Sequence, residues 1–168
     1  MAAADYILRR ANRSDADGIL SAHRDSIRVI GPLFYPPDIV DDWGGPLTGD
    51  LYVRAMDRGE VFFIAVGAID GEPAVLGFAT HRVRGEQHRT AVYVRGAAAR
   101  RGIGSALFRL AEADALASGA DSIHVDASLA AVDFYKANGF QATGRGEHRL
   151  RTGRLMPCVF MQKTLTRV

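Results

Sequence analysis

Cysteine is almost absent: Cys158 stands alone, so no disulfide can close within the chain and a disulfide-stapled scaffold is excluded. No apolar run reaches membrane-spanning length, and no charged start leads into an apolar segment of signal type, so a cytoplasmic protein working away from membranes is expected. Charge of one sign is scarce too. With Lys+Arg 21 against Asp+Glu 19 the formal net charge is +2, which gives no case for a nucleic-acid partner. His81, His88, His124 and His148 lack ligand spacing with cysteine or carboxylates, so no metal is expected. Repeats, linkers and low-complexity tracts are missing apart from Ala97-Ala98-Ala99, and Met1-Ala-Ala-Ala4 reads as an untethered start. What is present, 48% hydrophobic and 24% charged residues, fits one globular domain over 1–168 that buries a core without staples.

Periodicity orders the elements as β-α-α-β-β-β-α-β-α-β-β. Tyr6 to Arg10 is a strand; Ser14 with Asp17 suggests a helix start, and Ile19, Ala22, His23, Ser26, Ile27 and Ile30 recur at helical spacing up to Gly31-Pro32. Pro36-Pro37 opens a short helix toward Trp43, and Leu51 to Arg58 is a further helical candidate. Val61 to Ala68 and Ala74 to His81 form a hairpin around Asp70-Gly71, whose residues supply positive backbone dihedrals. Arg82 to Gln87 reads as a polar connector and Arg89 to Val94 as the next strand. A helix from Gly102 to Gly119, a strand at Ser122 to Asp126, a helix capped by Ser128 and two closing strands complete the chain.

The stretch Val94-Arg-Gly-Ala-Ala-Ala-Arg-Arg-Gly-Ile-Gly-Ser105 puts bare backbone and positive charge at a helix start, where unpaired amides and the macrodipole already attract anions. A kinase-type P-loop is a poor fit because the loop has no lysine. A dinucleotide fingerprint is equally poor, since Leu107 occupies the third glycine position. Instead Val94 to Leu107 resembles the coenzyme A pyrophosphate loop of the GNAT acetyltransferase superfamily, with Ala99 where that motif has glutamine or arginine. A second window, Ser128 to Phe140, is similar to the late helix of the same family through Ala131, Phe134, Tyr135, Gly139 and Phe140.

This resemblance implies a mixed, mostly antiparallel α/β sheet of the GNAT type, helices on both faces, and two central strands that run parallel and splay. It also implies acetyl transfer from acetyl-CoA to an amine in a ternary complex. The implied contacts to acetyl-CoA are Val92, Val94, Ala99, Arg100, Arg101, Gly102, Ile103, Gly104, Ser105, Ser128 and Tyr135, with the Val94 amide as oxyanion donor. Tyr135 is the implied general acid, its alternative being a core tyrosine with a satisfied hydroxyl. His88 is the candidate base, with Glu86 in reserve; the plain alternative is a solvated strand end. His23, Ser26, Tyr35 and Trp43 are the implied acceptor contacts, and Asp38, Asp41 and Asp42 could attract a cationic amine. A small-molecule amine is the expected partner, a protein or peptide acceptor the nearest rival, and a non-catalytic acyl-CoA sensor the reading from another class. An exposed final strand makes a homodimer plausible.

Overall fold

The computed structural model describes residues 5–166; Met1 to Ala4, expected to be untethered, lie outside them. Seven strands form one sheet in the order β1-β2-β3-β4-β5-β7-β6. They are β1 Ile7–Arg10, β2 Val61–Ile69, β3 Glu72–Arg84, β4 Gln87–Val94, β5 Ser122–Ser128, β6 Gln141–Arg149 and β7 Leu155–Thr164. All neighbours are antiparallel except β4 and β5, which run parallel and pair only at Arg89 and His124. Beyond that point the two strands separate toward their C-terminal ends.

Three helices precede β2, the Leu51 to Arg58 candidate being one of them although the element order counted two: α1 Ala16–Ile30, α2 Pro37–Gly44 and α3 Gly49–Asp57. The first is preceded by a 3-10 turn whose capping box is made by Asn12 and Asp15, two residues earlier than the Ser14–Asp17 pair. Helix α4 Ile103–Ala117 and the short α5 Val132–Ala137 follow β4 and β5. Ser128 is not a helix cap: it ends β5, and Ala131 holds the N-cap position of α5. The supposed connector at Arg82 to Gln87 is also strand, because β3 runs on to Arg84 and turns back at Gly85-Glu86.

Strand alternation divides the core between two faces. Ile123, Val125, Ala127, Val159 and Met161 pack with Phe108 of α4 and Tyr135 of α5, while Phe62, Ile64 and Phe78 pack with Ile19 and Tyr52 on the α1–α3 side. The turn between β6 and β7 is pinned over this second side. There Leu150 packs with Ile27, Tyr35 and Val40, and Arg154 bonds Asp38 at 2.9 Å and also Asp42. Two of the aspartates read as attractants for an amine are thus engaged by an arginine.

Candidate active site

The separation of β4 from β5 leaves backbone donors without a neighbouring strand. The Arg95 amide returns to the carbonyl of Leu76 on β3 at 2.8 Å, while the Val92 amide points the other way and donates to the Tyr135 hydroxyl at 3.1 Å. Period two then sets the Val94 N–H on the same edge as Val92, toward the gap. Since the Tyr135 oxygen accepts from Val92, its own proton remains available. Burial, the largest cause, raises the phenol's pKa, and the charge of Tyr93 adds to the rise, so the hydroxyl stays protonated.

Glycine places this tyrosine. A Cβ on Gly104 would meet Phe134 Cε2 at 3.0 Å and Val94 Cγ2 at 3.4 Å, so a bare residue in the first turn of α4 lets α5 pack close. The amide of Asn138 also donates to Ser105 Oγ at 3.1 Å. At the same helix start, Gly102 holds φ +77° with no side-chain cap, and Arg100 is likewise left-handed at +62°. The first helical bond returns from Ala106 to Gly102. Among the described residues, the amides of Gly102, Ile103, Gly104 and Ser105 at this helix start find no backbone acceptor, the donor set that a diphosphate requires. The residues present therefore fit coenzyme A at this loop.

From the gap a cavity of ≈ 380 Å³ opens on the α1–α3 side. Val92, Ser128 and Tyr135 line it, as do His23 and Trp43 among the implied acceptor contacts. The His23 ring lies 4.1 Å from that of Tyr93, with Nδ1 2.9 Å from the Tyr52 hydroxyl and Nε2 buried without a partner. Burial drives the His23 pKa down to about 3, so the ring is neutral.

Three sequence expectations fall elsewhere. His88 lies on the α4 side of the sheet, stacked on His81, with 2.8 Å between His88 Nδ1 and His81 Nε2; His81 Nδ1–H donates to Asp114 at 2.6 Å. It does not line the cavity. Tyr35 donates to the Pro157 carbonyl and accepts from the Leu129 amide, which joins β7 to the end of β5. Ser26 is buried in α1, away from the cavity wall.

Several lining residues were not anticipated: Glu60, Arg82, Arg84, Arg89, Tyr93, Asp126, His148 and Arg151. Burial raises the carboxyl pKa of Glu60, against the pull of Arg82. Burial also pushes Tyr93 up to about 12. Asp126 bridges His148 at 3.2 Å and Arg89 at 2.7 Å, and the His148 bond, then Arg89, holds its pKa at about 2. A folded value below the ordinary 3.8 contributes stability above that pH, which is lost as pH falls through 2. Asp126→Asn should therefore cost about 1–2 kcal/mol at neutral pH, after allowance for partial exposure. Paired urea melts should show that cost shrinking from pH 4 downward.

The family model described as "Acetyltransferase (GNAT) domain" matches residues 50–165. Among solved structures, the GCN5-related N-acetyltransferase of Rhodopseudomonas palustris is 25% identical with TM-score 0.80, over 98% of this chain and 99% of that one. The PaiA N-acetyltransferase of Thermoplasma acidophilum, solved in complex with coenzyme A, is 16% identical with TM-score 0.74, over 98% and 100%. YncA of Salmonella typhimurium, solved with its cofactor acetyl-CoA, is 17% identical with TM-score 0.70, over 98% and 96%. No curated protein sequence matches significantly.

Proposed function

The chain belongs to the acetyltransferase (GNAT) domain family, and on that premise we propose that it moves acetyl from acetyl-CoA directly to the primary amine of a small molecule. The observation that carries this reading is the run of unpartnered amides from Gly102 to Ser105 beside a strand gap whose far side opens into the cavity. When bound, acetyl-CoA supplies a thioester whose C–S bond breaks as a C–N bond forms to the acceptor. The loop amides hold the diphosphate, with Arg100 and Arg101 near enough in sequence to add charge. The Val94 N–H faces the gap and donates to the acyl oxygen as negative charge gathers there. Tyr135 Oη–H gives its proton to the departing sulfur, an acid whose partner Val92 keeps it aimed.

The acceptor must shed a proton, since a free primary amine of pKa about 10.4 is cationic at neutral pH. Glu60 is the proposed acceptor of that proton, through water, because it lines the cavity and its raised pKa makes it a better base than Asp126. The position of His88 on the other side of the sheet supports a role outside proton transfer. Glu60→Gln is expected to lower kcat/KM about 10²-fold and remove the acid limb of its pH profile. For His88→Ala the expected change is less than about twofold. The reverse order of effects would return the base to His88.

The test of the whole reading is thiol release from acetyl-CoA with a broad panel of amines, followed by mass spectrometry of the product. Acetylated amine is expected. Tight acetyl-CoA binding without turnover on any amine or peptide would point to an acyl-CoA sensor.

A further inference from the structure

Arginine from two separate parts of the chain converges on one cavity. Arg82 and Arg84 project from β3, Arg89 from β4, and Arg149 and Arg151 from the end of β6 and the turn after it, against only two carboxylates, Glu60 and Asp126. Asp126 is already ion-paired with Arg89 and hydrogen-bonded to His148. Arg149 donates to the Gly153 carbonyl, but the side chains of Arg82, Arg84 and Arg151 make neither a hydrogen bond nor an ion pair within 4.0 Å among the described residues. The charge of Arg151 nonetheless reaches inward to His23, Tyr52 and Glu60, which stand on α1, on α3 and before β2.

A merely solvated strand face mixes signs. Here Thr80, Arg82 and Arg84 follow Phe78 on one face of β3, and the pinned β6–β7 turn brings Arg151 over the same space. Guanidinium groups offer paired donors that match the two or three oxygens of a carboxylate or phosphonate. A cavity of ≈ 380 Å³ suits a small molecule rather than a folded partner. The same positive field disfavours an ammonium ion, which lowers the pKa of an amine held there and raises the fraction able to attack.

Resting on the acetyl-transfer reading above, we propose that the acceptor is a small primary amine bearing an anionic group, carboxylate or phosphonate. Arg82, Arg84 and Arg151 hold the anion at the outer wall, while the nitrogen faces the gap between β4 and β5. The step balances: the ammonium gives one proton to Glu60 through water, C–N forms, and C–S breaks as Tyr135 protonates the sulfur. The second proton that the nitrogen sheds as the amide forms restores the Tyr135 phenol, so the net proton released leaves from Glu60 to solvent. A diamine would be repelled.

The experiment uses the full chain, acetyl-CoA and matched probes: 2-aminoethylphosphonate, aspartate and glutamate against ethanolamine and 1,4-diaminobutane. The anionic probes are expected to show kcat/KM at least about tenfold above the others, narrowing as salt is raised. Arg82→Ala and Arg151→Ala should each raise KM for the anionic probe about tenfold, the loss of one charge-assisted hydrogen bond, with lysine at either position restoring part of it. Calorimetry on the coenzyme A-loaded protein gives a readout free of turnover: ethylphosphonate should bind to the parent and at least about tenfold more weakly to Arg151→Ala. Equal or better turnover of the neutral amine, the diamine or an acidic peptide overturns the proposal but leaves acetyl transfer standing. Absence of turnover with every probe, while ethylphosphonate still binds, counts instead against the acetyl-transfer reading.

Discussion

Tyr135→Phe should lower kcat for acetyl transfer about 10²-fold while coenzyme A affinity stays within about threefold. The hydroxyl is a proton source that the fold holds at the strand gap, fixed by the Val92 amide and kept protonated by burial. Removing it also strands the Val92 N–H, so a loss of about 1–3 kcal/mol in stability should accompany the kinetic effect. Thiol release measured beside calorimetry and a urea melt separates the two. Unchanged kcat with reduced stability would make Tyr135 a structural tyrosine only.

Gly102→Asp is expected to weaken coenzyme A binding about 10²-fold. Aspartate tolerates the left-handed backbone better than most residues, and it places a fixed negative charge among the amides that the diphosphate must reach. The control is Gly102→Ala. A Cβ there meets nothing within 4 Å, so the alanine variant carries at least as much backbone strain without the charge and should bind nearly as well as the parent. Equal weakening in both variants would locate the effect in strain.

What could be read from the sequence was contiguous. The loop from Val94 to Ser105 and the helix around Tyr135 each keep their chemistry within a dozen or so neighbouring positions, and strand–helix order follows from local periodicity. The cavity was not contiguous. Its arginines come from β3, β4 and the β6–β7 turn, which become neighbours only because β7 inserts between β5 and β6 and because β5 lies parallel to β4. His88 shows the same limit in reverse: an imidazole on this strand suited a base, but alternation turns a side chain one position from Arg89 to the other face. Arg82 to Gln87 read as a connector because charged residues at a strand end look like loop when the cavity they face is unseen.

The central claim is that the amides from Gly102 to Ser105 hold the diphosphate of acetyl-CoA at the mouth of the β4–β5 gap. Calorimetric titration of the folded protein with coenzyme A and, separately, with pantetheine tests it most directly, since pantetheine keeps the thiol arm and lacks the diphosphate. Saturable binding of coenzyme A, at least about 10²-fold tighter than pantetheine, is the predicted result. Equal affinity for the two, or no heat with either, would contradict it.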